Sequence, residues 1–106
     1  MIRTDELEQA VAQAVHSASR RMTAKVRREA FSAGWPAHVS RHLSVRHSGG
    51  GFSVTYPEHL SEKVEALEYG TQSTAPSAVI RRFENRTPER DREVLDALER
   101  SMRGVL

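Results

Sequence analysis

The run from Asp5 to about Ala33 limits the folds open to this chain more than any other stretch, because no proline interrupts it and its apolar residues keep a helical step. Leu7, Val11, Val15, Ala18, Met22 and Val26 recur at spacings of three and four, which puts them on one stripe of a helix. Asp5, with Glu8 three positions on, fits a capping box at the start, and Gly34 followed by Trp35-Pro36 supplies the stop. A helix of roughly 28 residues is about 42 Å long. The chain has 106 residues, enough for a single domain over 1–106 and too few for two self-sufficient cores. So long a helix exceeds what that domain needs, and part of it is expected to lie against another subunit. Hydrophobic residues make up 38% of the chain and aromatics 6%. A core that thin is often completed by a partner, so oligomerisation is expected.

Charge along this helix is segregated. Asp5, Glu6 and Glu8 open it, while Arg20, Arg21, Lys25, Arg27 and Arg28 crowd its second half. This order complements the helix dipole. A phosphate-facing or partner-facing strip is the second reading, set back because these residues spread around the helix. The formal net charge is only +2 with a pI near 9.5, so attraction to nucleic acid requires the positives to cluster.

After Pro36 the period changes to two. Val39, Leu43 and Val45 alternate with polar residues across His38 to Arg46, the pattern of a half-buried strand. Gly49-Gly50-Gly51 makes a turn, and Phe52, Val54 and Tyr56 alternate again before Pro57, which completes a β-hairpin. Val64 to Tyr69 reads as a third strand, with a short helix as its competitor, and Gly70 ends it. The uncharged loop Thr71 to Pro76 follows. Ser77 to Phe83 is read as a brief fourth strand or extended piece, against a turn of helix. The last element starts at a Thr87 N-cap with Pro88 at the first helical position and acids at Glu89, Asp91 and Glu93. Val94, Leu95, Leu98 and Met102 form its expected buried face, and Gly104 closes it. The fold class is therefore α+β: a long N-terminal helix, a small, mostly antiparallel sheet of three to four strands, and a C-terminal helix.

Much chemistry is set aside at this level. There is no cysteine, which excludes disulfides, thiolate zinc sites and a cysteine nucleophile. The N-terminus holds no apolar run long enough for a signal peptide or membrane span, so a cytosolic or particle-borne protein is expected. On a strand, His38 and His42 would lie about 13 Å apart, too far to share one ion. No Gly-x-Ser-x-Gly elbow occurs, and the acidic run Glu58, Glu62, Glu65 and Glu68 reads as a solvated face. No catalytic, cofactor or metal residue is assigned. The densest positive cluster is Arg81, Arg82, Arg86, Arg90 and Arg92, the best candidate surface for DNA or RNA. Pairing with Glu84, Glu89, Asp91 and Glu93 is its equally supported alternative. Aromatics interleaved with these arginines are lacking, so stacking on single strands is poorly supported.

The stretch Glu68-Tyr69-Gly70-Thr71, followed by Pro76, Val79, Ile80 and Arg81, resembles the signature of the tail-completion or minor tail-component proteins in the necks of long-tailed double-stranded DNA phages. In that family a Glu-aromatic-Gly-Thr run precedes a short polar loop, a proline, an apolar pair and an arginine, and then a C-terminal helix. The order of elements agrees over most of the chain. The motif itself covers about twenty residues, and it departs at Ser77, where the family usually has phenylalanine, and at Arg82, where it usually has a second proline. The resemblance implies a non-catalytic virion protein without cofactors, assembled in the host cytoplasm. It also implies a homo-oligomeric ring, commonly a hexamer, that terminates the tail tube and joins it to the connector or stopper, with DNA passing through the lumen without sequence-specific contacts. The residues Glu68, Tyr69, Gly70, Thr71, Pro76, Val79, Ile80 and Arg81 are then the candidate assembly contacts.

Overall fold

The computed structural model describes residues 4–48, 51–71 and 75–103. Gly49, Gly50, residues 72–74 of the polar loop and Gly104 lie outside the described residues, as do the side chains of Thr87, Pro88, Glu89, Arg90, Asp91 and Met102.

Helix α1 runs over Thr4–Ser32. Its inclusion of Thr4 places Asp5 within the first turn and not at the cap. Its buried residues are Ala10, Ala14, Ala18, Met22, Val26 and Ala30, a straight row at steps of four. The expected stripe is thus turned in the first half, where Leu7 and Val11 remain 43% and 44% exposed. The reason is helix α5 (Thr87–Met102), which packs along α1 with Ala97 buried and Val94 and Leu98 half-buried against the core. Alanines at the contact let the two backbones approach closely, so small side chains win that face over larger ones. Leu95, expected inside, is 64% exposed. Lys25 pairs with Glu93, and Arg86 donates from Nη1 to Glu29 Oε1 at 2.6 Å, so the helices run antiparallel. The first residue of α5 is Thr87 itself, with Arg86 before it in the capping position.

The stop of α1 follows the sequence reading. Gly34 has φ +94°, a value that favours glycine. The Trp35 N–H donates to the Ala30 carbonyl at 3.0 Å and the Gly34 N–H to Phe31 at 3.1 Å, the bond pair of a Schellman motif. This turn drives Trp35 into the core beside Ala30, where both are buried.

Residues Ala37–Ser40 form a helical turn, α2, and not the start of a strand. Val39 and Leu43 are both fully buried, and their spacing of four suits a helix as well as an alternation. The strands are β1 (Ser44–Ser48) and β2 (Gly51–Thr55), antiparallel with Val45 opposite Val54 and His47 opposite Phe52. This confirms the hairpin, but among the described residues the sheet has two strands, not three or four. A 3-10 turn at Glu58–Leu60 leads into helix α3 (Ser61–Tyr69), and helix α4 spans Val79–Glu84. The third and fourth strands expected at these places are helices. The broad α+β class stands.

Beside the second half of α1, Met22, Val26, Ala30, Trp35, Val39, Leu43, Val45, Val64, Val79 and Phe83 close one core. The radius of gyration is 16.3 Å and the extents are 61 × 25 × 22 Å. A compact chain of this length has a radius of about 13 Å. The molecule is therefore elongated along α1, as its length required.

Candidate functional site

The motif residues meet where α3 ends and α4 begins. Helix α3 stops because Gly70 takes φ 82° and ψ 172°, a conformation essentially confined to glycine, with its N–H still bonded to the Ala66 carbonyl. Gly70 thus turns the chain out of a helix and not out of a sheet edge. The chain returns so that the Ser77 N–H donates to the Leu67 carbonyl and the Ala78 N–H to the Glu68 carbonyl, each at 3.0 Å. Ala78 then adopts a left-handed conformation at φ 53° before the first turn of α4.

A new helix leaves its first N–H groups without intrahelical partners, and Ala78 has no side-chain acceptor to offer. Glu68 fills the role from across the loop. Its Oε1 accepts the Ile80 N–H at 2.8 Å, and its Oε2 accepts the Arg81 N–H at 2.8 Å and the Arg81 Nε at 3.1 Å. Arg81 Nη2 also donates to the Glu68 carbonyl at 2.8 Å. The residue is 2% exposed, a buried charge tolerable because it is paired and its oxygens are taken by donors. A glutamate that the sequence reading assigned to a solvated face is the hub of the junction. Val64, one turn earlier, is buried beside it, and that spacing of four, with the strong helix formers between, was the signal for α3.

Around this hub the candidate residues divide. Val79 is fully buried and Ile80 packs against the core, so the apolar pair pins α4 to the body and Val79 presents no surface for an assembly contact. The Arg81 guanidinium lies 4.4 Å from the centroid of the Tyr69 ring, a cation–π stack. Tyr69 is 60% exposed and the Arg81 side chain 44% exposed, so the pair faces outward on a base fixed by Glu68. Thr71 and Pro76 are exposed at the ends of the loop. What the junction offers is an outward-facing aromatic and guanidinium platform.

Of the arginines expected to bind nucleic acid, Arg82 and Arg86 border one groove with Lys25 and Arg28. Arg81 is engaged by Glu68 and Arg86 by Glu29, partners far away in sequence. Arg82 and Arg92 are exposed, and the Arg90 side chain lies outside the described residues. His38 sits in α2, His42 just beyond it and His47 on β1. Among the described residues no group of three His, Asp or Glu side chains is placed to hold a metal ion. Tyr56, at the end of β2, has its phenol pKa raised above the ordinary value of 10.0, first by burial and then by the negative charge of Glu65. No described helix is long and apolar enough to cross a membrane.

No protein-family model, curated protein or solved structure matches the chain.

Proposed function

We propose that this chain is a structural protein of a phage neck or tail end, a subunit of a homo-oligomeric ring that terminates the tail tube and joins it to the head connector. The observation that carries the reading is the junction at Glu68. Glu68 of the Glu-Tyr-Gly-Thr run caps α4, and Tyr69 and Arg81 lie stacked and exposed beside it. Tyrosine and arginine are the residues enriched at the centres of protein interfaces, and a pre-ordered pair loses little entropy on contact. An isolated monomer has no evident use for such a platform. The elongated shape agrees, because α1 presents Leu7 and Val11 to solvent along an arm beyond the main core. In this reading the partners are further copies of the chain, the tail tube protein and the connector or stopper. DNA crosses the lumen, and the role includes no catalytic step.

The test is the mass of the particle. Light scattering and particle imaging of the purified chain, alone and with a tube protein, are expected to give closed rings far above 11.9 kDa. Gly70→Val is expected to abolish them while the helical circular dichroism signal persists, since a β-branched residue cannot hold φ 82° without strain. A wild-type chain that stays monomeric and ignores tail proteins removes the proposal.

A further inference from the structure

The positive residues of α1 looked dispersed on a helical wheel, but the fold sorts them. Lys25 and Arg28 border one groove with Arg82 and Arg86, where Glu93 and Glu29 offset part of the charge. Arg20 and Arg27 turn the opposite way, into an open groove of about 940 Å³ between α1 and β1. Arg46 and His47 of β1 form its far wall and His16 extends it toward the N-terminus. Past Arg27 the surface continues into a second hollow with Arg41 and His42. Neither hollow has a carboxylate among its described lining residues. In a chain of net charge only +2, this is a strong local asymmetry.

The groove is also held in shape. The Val45 N–H on the outer edge of β1 donates to Thr23 Oγ1 at 2.8 Å, and Arg27 Nε donates to the Leu43 carbonyl at 2.8 Å. Both bonds lock β1 alongside α1 and fix the spacing of the two basic walls.

We propose that this groove binds the phosphate backbone of duplex DNA without reading its sequence. A protein partner would call for an apolar or aromatic anchor at the centre, and the α1–β1 groove offers small, polar and basic side chains with only Val15 and Val45 between them. Single strands are held by stacking on successive aromatic rings, and no Phe, Tyr or Trp lines the α1–β1 groove, while the adjoining hollow with Arg41 has Tyr56 as its one such ring among the described lining residues. What the walls do offer is guanidinium groups, which stay charged at any working pH and match phosphate oxygens. From His16 to Arg27 the helix rises roughly 16 Å. Over that distance a duplex carries about ten phosphates, more than enough to engage every arginine of the surface. The proposal goes beyond the ring reading and holds whether or not the chain forms one.

The experiment is fluorescence anisotropy of a labelled random-sequence duplex titrated with the full chain at several salt concentrations. If Arg20, Arg27, Arg41 and Arg46 each displace one counterion, log K falls with log salt at a slope of about −3.6, so affinity drops about a hundredfold between 50 and 200 mM. The double variant Arg20→Ala, Arg46→Ala is expected to halve that slope and lose only about tenfold over the same range. Both residues are exposed, so circular dichroism should be unchanged, and Arg20→Lys with Arg46→Lys should keep the steep slope. Arg82→Ala with Arg92→Ala, outside the groove, should leave it untouched. Absence of binding at 50 mM salt, an unchanged slope in the alanine pair, or tighter binding of a single strand overturns the proposal. A fall in assembly mass with unchanged DNA affinity also overturns it, by making the groove a contact between copies.

Discussion

Replacing Glu68 separates two accounts of the α3–α4 junction. In one, the ion pair with Arg81 holds the helices together. In the other, the carboxylate acts as a remote helix cap and the ion pair adds little. The geometry gives the magnitudes. Arg81 is 44% exposed, so its guanidinium can return to water when the partner is lost, and the pair itself is worth at most about 1 kcal/mol. The Ile80 and Arg81 N–H groups have no such freedom, because they open a helix whose first residue, Val79, is fully buried. Each N–H stripped of an acceptor costs about 1–3 kcal/mol. Glu68→Ala should therefore lose about 2–6 kcal/mol. Glu68→Gln keeps one acceptor oxygen but turns an amide N–H₂ toward the remaining donors, and should lose about 1–2 kcal/mol. Arg81→Ala leaves both backbone donors satisfied and should lose less than about 1 kcal/mol.

The assay is urea unfolding followed by helical ellipticity, with protomer concentration held fixed because an oligomer's stability depends on it. With m about 2 kcal/mol/M, Glu68→Ala moves the midpoint by about 1–3 M and Arg81→Ala by under about 0.5 M. Equal losses from Glu68→Ala and Arg81→Ala would refute the capping argument.

Two further outcomes follow from the backbone and from Tyr56. Ala78 is the non-glycine residue with positive φ among those described, so Ala78→Gly relieves about 1–2 kcal/mol of left-handed strain while adding up to about 1 kcal/mol of unfolded-state entropy. The melting temperature should hold or rise, in contrast to Ala14→Gly within α1, which should cost about 1 kcal/mol. Tyr56 has a raised folded pKa, so above the unfolded value of 10.0 the folded state keeps a proton that the unfolded chain has lost. Stability from this group is full below pH 10, falls as pH climbs through the folded pKa, and should lose that slope in Tyr56→Phe when alkaline unfolding curves are compared.

The parts of the fold governed by local chemistry were legible in the chain. Gly34 and Trp35 ended α1 by a turn that only their own bonds make, and alternation on either side of the glycines gave the hairpin. The parts that depended on a distant partner were not. Helix α3 was hidden because one of its buried positions is a glutamate, which breaks the apolar period. Helix α4 carries no cap of its own, since its cap is supplied from ten or more residues upstream. The face of α1 was misplaced where alanines meet α5, because a periodicity search rewards large side chains and helix contact rewards small ones. At the site, Gly70 was legible as the stop of its element, although that element is a helix and not a strand. The grouping of Arg20 with Arg46 joins two elements and could be seen only after folding.

The antiparallel lie of α5 on α1 sets an order of events for a growing chain. The bonds that fasten them link Lys25 to Glu93 and Glu29 to Arg86, separations of 68 and 57 residues. During synthesis α1 must therefore wait, its row of alanines wet, while the hairpin and the two short helices are made. Those elements can dock on the far half of α1 as they appear, with Trp35 beside Ala30, but the remaining alanines of the row wait for α5. Any slow or premature stop before Ala97 would leave a long helix with one bare side, the species most prone to bind a second chain in place of its own missing end.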